Sequence, residues 1–449
     1  MTLLKINNLS YIKVLFLFIL FPFTLHAEVI SVSPDSEKTL QEFINEANEN
    51  DVIELSSGIY RGNVRVDKPV SLRASSSSEQ KAVILDGAGK GRVIEIFSSS
   101  VSIKGLKIIN SGDEVGKMDA CVYVHKEAAH VRIQDNVLEK CAFGIWVNGS
   151  ADIQITKNVI SGVKRKYPSD MGNGINLWQV SDSLIRENRI SSVRDGIFLT
   201  VTKGSIVRNN YVHDVRFGVH YMYNDDNIII SNHVCNSSVG LAMMYSKRLK
   251  INNNITINNK QHGVLFRSIY DSKVKNNLAS GNARGFFLND ASFNQITENQ
   301  VENNEIGVHV TAGSNDNKVY DNNFVANQVQ VMYATRYSQD WNIESKGNYW
   351  SDYLGWDFDQ NNIGDRIYYA SNRIDQLAFR YPQIKLLAQS PVIQLFQFIE
   401  SRFPVARPAS VIDRLPYMKP VNVGYNAERN ELYNEWTMHC EAGIKNKND

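Results

Sequence analysis

Through the middle of the chain, apolar positions recur in short alternating runs, each opened by a glycine: GINLW at 174, GIFLT at 196, GVHYM at 218, GLAMM at 240, GVLFR at 263, GFFLN at 285 and GVHVT at 307. Successive glycines are 22, 22, 22, 23, 22 and 22 residues apart, and an earlier run opens at Gly144. The residue after each glycine is always apolar: Ile145, Ile175, Ile197, Val219, Leu241, Val264, Phe286 and Val308. That position faces a core, and by strand alternation so does the residue two further on. Between them stand Trp146, Asn176, Phe198, His220, Ala242, Leu265, Phe287 and His309, a mixed set that faces outward.

Fourteen residues after six of the glycines comes an asparagine: Asn188, Asn210, Asn232, Asn254, Asn277 and Asn299. Asparagine tolerates left-handed backbone and bonds locally, so it suits a repeated tight turn, and stacked asparagines can form a ladder. A 22-residue period of short β-type runs without helical periodicity predicts an all-β fold, a right-handed parallel β-helix of the pectin-lyase-like kind. One repeat is one rung, and rungs stack about 4.8 Å apart. The pattern covers residues 52–347, with a loop over 164–171 absorbing the longer Gly144–Gly174 interval of 30 residues. The segment TLQEFINEANEN puts Leu40, Phe43, Ile44 and Ala47 on one helical face, so residues 28–51 are expected to cap the open end. Residues 348–420 differ in composition, and 421–449 are expected to form a flexible tail.

The first 27 residues stand apart. A basic stretch is followed by the short apolar run VLFLFILFPFTL and a small residue, the pattern of a secretory signal cut near Ala27. Removing Lys5 and Lys13 from 48 basic residues leaves 46 against 47 acidic ones. That near-neutral balance gives no reason to expect nucleic acid as a partner. Four cysteines are too few for a disulfide scaffold of this size. Cys121 and Cys141 fall on neighbouring coils and either form one bridge or stay as buried thiols.

The outward set decides the chemistry. Met244 lies 22 residues after Met222, hence beside it on the next rung, and His220 precedes Met222 by two positions on the same outward face. Two thioethers and an imidazole suit copper(I), and without thiolate or clustered carboxylate they argue against zinc or a hard cation. The rival reading is an adaptable Met-rich contact surface for a protein partner. Trp146, Phe198, Phe287 and His309 extend the strip and fit a contact surface. A carbohydrate-binding or carbohydrate-active β-helix is the alternative class. Asp225, Asp226 and His262 invite comparison with polygalacturonases, but the 36 residues from Asp226 to His262 put them on different sides of the helix. Further on, Asp357, Asp359, Asn361 and Asp365 fall at positions 1, 3, 5 and 9 of a calcium-type loop, with the Ile363 carbonyl at position 7. The glycine expected at position 6 is Asn362, and position 12 carries no acid. A turn held by side-chain hydrogen bonds is the other reading. Ser390-Pro391 then opens a helix carrying Val392, Ile393, Leu395, Phe396, Phe398 and Ile399, apolar around too much of its circumference to face water alone, so it either packs back on the β-helix or, the favoured reading, docks into a partner protein.

The stretches RFGVHYMYNDDN, GLAMMYSKRL, QHGVLF, IGVHVTAGSNDNKV, GNYWSDY, DFDQNNIGDRIYY and RYPQIKLLAQSPVIQLFQFIESRFP…VIDRLPYMKP resemble the NosD family, in consistent order from about residue 35 to 420. The resemblance implies a non-enzymatic periplasmic β-helix protein serving assembly of the copper centres of nitrous oxide reductase. It implies as partners the transmembrane and ATPase subunits of an ABC-type complex, a copper chaperone and the reductase. It also makes copper the transient cargo. The Asp-rich loop departs from the family pattern at Gln360, Asn361 and Asn362, which weakens the calcium reading. The tail with Cys440 lies outside the resemblance.

Overall fold

Three long parallel sheets wind around one apolar core in the computed structural model, which describes residues 27–76, 82–163, 165, 167–335, 337–370, 390–392, 395, 409–423 and 440. Sheet A has 13 strands, from Val29–Val32 to Lys318–Tyr320, and sheet B has 13, from Gly58–Arg61 to Tyr349–Trp350. Sheet C has 12, from Val64–Val66 to Val329–Tyr333. Neighbouring strands within each are parallel and belong to successive coils. The chain is therefore an all-β parallel β-helix. The segment that resembles a signal, up to residue 26, lies outside the described residues.

The 22-residue register sets the core. Val219 pairs with Ile197 on one side and Leu241 on the other, and all three are fully buried. The repeated glycine has a steric cause. A Cβ on Gly218 would sit 2.3 Å from Val234 Cγ1 and 2.7 Å from the Gly240 carbonyl oxygen of the next coil. Gly196, Gly263 and Gly285 meet the next coil's carbonyl in the same way.

The asparagine ladder forms, and it is longer than expected. Each Nδ2 from Asn136 to Asn322 donates to the next coil's Asn Oδ1, ending on Asn348. The left-handed backbone falls on the residue before each ladder asparagine from Asn136 to Asn322, as at Glu187, Asn209, Ser231 and Asn253. The ladder residue itself is buried and satisfies amides of the adjoining coil. Burial without such partners would cost a kcal/mol or more per group.

Both ends are closed. The helix Leu40–Glu46 starts with a capping box between Thr39 and Glu42 and buries Leu40 and Ile44. Sheet A begins ahead of that helix, where Val29–Val32 pairs with Val52–Leu55. At the other end Val411–Asp413 pairs with Gln339–Asp340 and Tyr368–Tyr369. Buried Asp413 accepts hydrogen bonds from the Asn348 amide and from Trp350 Nε1. Cys121 and Cys141 are joined by a disulfide with an S–S length of 2.03 Å.

Candidate functional site

The outer face of sheet C carries three columns of side chains: the residue before each repeated glycine, the second after it and the fourth after it. Strict alternation would put the residues before and after the glycine on one face. Instead Val219 belongs to the main core, whereas Phe217 packs in a separate outer cluster with Val239, Ala242, Met244, Leu265 and Phe287. The strand bends at the glycine, and this adds a column to the outer face that alternation does not anticipate.

The expected pairing of Met222 with Met244 is present as a register pair, and both side chains are partly buried. His220 points away from the core as expected, but it is not on an exposed strip: only 5% of it is accessible. Its ring stacks on Phe198 at 4.3 Å between centroids and meets Phe217 edge-on at 4.9 Å. Nδ1 lies 3.0 Å from Asp195 Oδ2, and Arg216 donates to the same carboxylate at 2.8 and 2.6 Å. Burial alone would push the Asp195 carboxyl up, but the His220 hydrogen bond and the Arg216 guanidinium hold it below its usual range. Held as an anion, Asp195 can only accept this hydrogen bond, so Nδ1–H donates to Oδ2, which in the neutral imidazole leaves the lone pair on Nε2. That nitrogen is buried and makes no hydrogen bond. A carboxylate–imidazole pair of this kind orients a histidine for a metal on its other nitrogen.

Asp195 was not anticipated because it sits in the column before the glycine. The signal was present: that column reads Asp195, Phe217, Val239, His262 and Arg284 along the register, too polar and aromatic for a core.

The remaining strip residues form a second aromatic group. Phe287 stacks on His262 at 4.8 Å and meets His309 edge-on at 5.0 Å, and Arg284 Nε donates to His309 Nδ1 at 3.1 Å. Trp146 packs against Phe143 at the far end. Burial pushes His262 and His309 each down to about 4, with the Arg284 charge adding to it. Unfolding raises both towards about 6.5, so their contribution is fully present above that pH and is lost as pH falls through about 4. Between pH 7 and pH 5 each imidazole is expected to remove about 1–2 kcal/mol of stability. Urea unfolding at the two pH values checks this, and His309→Gln should flatten part of the slope.

Asp225 and Asp226 are held by Arg248, which contacts Asp226 at 2.7 and 2.9 Å and Asp225 at 3.3 Å. Both lie past the left-handed Tyr223, beyond the sheet C strand Phe217–Met222 and ahead of the sheet A strand Ile228–Ile230, whereas His262 opens a sheet C strand. Asp225 bridges to Lys247, which pairs with Tyr270, at the opposite end of the strand that His262 begins. The left-handed Ser268 turns the chain between the two ends of that strand, and the acids and the histidine do not meet.

The Asp-rich loop spends its carboxylates on its own backbone. Asp357 accepts from the amides of Asn361 and Asn362, Asp359 from Asn361, and Asp365 from Phe358. The Asn361 side chain in turn accepts from the Ile363 amide. These bonds fit a turn held by side-chain hydrogen bonds, and among the described residues Asp357, Asp359 and Asp365 form no close trio of histidine, cysteine or carboxylate ligand atoms. In the apolar helix, Val392 and Leu395 are helical and 64% and 58% exposed. Ile393, Phe396, Phe398 and Ile399 lie outside the described residues. The tail is not simply free: Cys440 forms a disulfide with Cys235 on sheet B. Burial pushes the neighbouring His233 down to about 3.

Residues 163–355 match the family model described as "NosD: Periplasmic copper-binding protein (NosD)". The chain is 43% identical over 379 residues to the "Probable ABC transporter binding protein NosD" of Pseudomonas aeruginosa, covering 81% of this chain and 87% of that one. A protein of the same name from Stutzerimonas stutzeri is 39% identical over 380 residues, covering 81% and 86%. Among solved structures, the family 28 exopolygalacturonase of Yersinia enterocolitica is similar with a TM-score of 0.56. It is 11% identical and covers 69% of this chain and 76% of that one, a likeness of fold alone.

Proposed function

The chain belongs to the NosD family, described as periplasmic copper-binding, and from that premise we propose that it holds Cu(I) transiently on the outer face of sheet C during maturation of nitrous oxide reductase. In this reading the protein is not an enzyme. It receives copper from a periplasmic chaperone, works with the transmembrane and ATPase subunits of an ABC-type transporter, and presents the ion to the reductase.

The observation that carries the copper assignment is His220. Its Nε2 is buried and makes no hydrogen bond, its Nδ1 is fixed by Asp195, and the Met222–Met244 pair lies two positions on along the same outer face. A donor nitrogen withheld from water and from hydrogen bonding is costly unless something else uses it. One imidazole and two thioethers are neutral, soft donors that favour Cu(I) and leave its single positive charge uncompensated by the ligands. Such a set releases its ion readily, as a carrier requires. The same partly buried methionines, with Phe198 and Phe287 beside them, also offer an adaptable surface to the protein that delivers or takes the ion.

Asp195→Asn tests the assignment, because it leaves side-chain volume unchanged and removes the anion that orients His220. Competition for Cu(I) against a chromophoric chelator should show affinity about 10–100-fold weaker than wild type. Equal affinity in the folded variant would remove His220 from the ligand set.

Docking to the transporter is assigned to the apolar helix that includes Val392 and Leu395. Removing the whole C-terminal segment is a poor test, since Val411–Asp413 closes the end of the β-helix. The double substitution Val392→Glu, Leu395→Glu is expected to leave the melting temperature unchanged and reduce co-purification with the membrane complex at least ten-fold. Recovery of complex at wild-type yield would return that helix to a purely structural role.

A further inference from the structure

His233 and Cys235 flank core residue Val234 on the sheet B strand His233–Cys235, so both face outward, yet they are 2% and 0% exposed. The outward face is an apolar patch here, where Tyr211, Ile255, Ile257 and Leu278 close around Cys235 and Cys440. On other coils the equivalent positions are polar, as with Arg189 and Ser191 or Gln300 and Glu302. Cys440 arrives from 205 residues away and is bonded to Cys235. Its Sγ lies 3.5 Å from His233 Nε2, and the Tyr211 hydroxyl lies 3.9 and 3.8 Å from the two sulfurs. The ligand atoms of His233, Cys235 and Cys440 all fall within 4.8 Å of one another, which no other trio of histidine, cysteine or carboxylate groups achieves among the described residues.

We propose that these three residues are a second copper site, closed as a disulfide and opened by reduction to bind Cu(I) through two thiolates and one imidazole. The switch balances as thiol–disulfide exchange with a protein dithiol as reductant. The Cys235–Cys440 bond breaks, the pair gains two electrons and two protons, and the dithiol becomes a disulfide. Binding Cu(I) then releases both thiol protons, since only the thiolate is a ligand. Two thiolates with one imidazole form a softer and more electron-rich set than the neutral donors at His220, so this site retains copper rather than passing it on. The bridge is buried, so reduction requires that Cys440 first lift off the patch. Oxidised, the bond fixes Cys440 to the β-helix; reduced and loaded, the metal does so. The inference rests on a different sheet and different ligands from the sheet C reading, and either can fail alone.

The test uses the mature full-length protein, oxidised or reduced with a phosphine, and Cu(I) supplied as its bathocuproine disulfonate complex. The reduced wild type is expected to withdraw one more equivalent of Cu(I) than the oxidised form. Reduced Cys440→Ser, which keeps Cys121 and Cys141, should lose that equivalent. His233→Gln, which keeps both sulfurs and can still form the bridge, should bind it at least ten-fold more weakly. Met222→Leu with Met244→Leu should retain it. The proposal is overturned if reduced wild type and reduced Cys440→Ser take up equal copper. It is also overturned if His233→Gln binds the extra equivalent with unchanged affinity. Thermal melts of the oxidised and reduced proteins establish that each variant is folded when titrated.

Discussion

Val219→Asp is expected to lower the stability of the β-helix by several kcal/mol, enough to abolish soluble expression or to move the urea midpoint far below that of the wild type. Val219 is fully buried between Ile197 and Leu241 in the register of sheet C, with Tyr221 inward beyond it. A carboxylate there has no cation within the core and no route to water. The control is Tyr223→Asp, a position 56% exposed, which should leave the midpoint close to wild type. Ordinary stability in Val219→Asp would reverse the facing of the whole strand, and with it the outward placement of His220 and Met222.

The second large effect is expected from Met222→Leu combined with Met244→Leu. Leucine keeps the apolar volume and removes both sulfurs, so packing in the outer cluster with Phe217, Leu265 and Phe287 should persist. The double variant should bind Cu(I) at least a hundred-fold more weakly and leave co-expressed nitrous oxide reductase deficient in copper, while complexes with its protein partners form as before. Wild-type copper content in the reductase would mean that the two methionines serve protein contact alone.

The period was the legible part. One glycine per coil follows from the carbonyl stacked against its missing Cβ, and one asparagine per coil follows from the ladder, so both reappear at a fixed spacing. The inward positions at Ile197, Val219 and Leu241 could be read for the same reason. What could not be read was how the outward side chains cover one another. His220 was placed on the correct face but taken as exposed, because its burial comes from Phe198, Phe217 and Asp195 on adjoining positions and coils. Asp195 escaped notice because the bend at Gly196 turns the preceding residue outward, against simple alternation. The Cys235–Cys440 bridge spans 205 residues, and no local pattern encodes a contact of that range. Carboxylates of the Asp-rich loop were equally open to a cation or to the backbone on spacing alone; in the fold Asp357 accepts from the amides of Asn361 and Asn362.

The most direct measurement is methyl NMR of the mature, oxidised protein labelled at methionine Cε and titrated with Cu(I). The account predicts that the Met222 and Met244 resonances, assigned from the single leucine variants, shift together and saturate at one equivalent. In Asp195→Asn they should shift only in part at copper activities that just saturate the wild type, and saturate at about 10–100-fold higher activity. Saturable copper binding that leaves both resonances in place would contradict it.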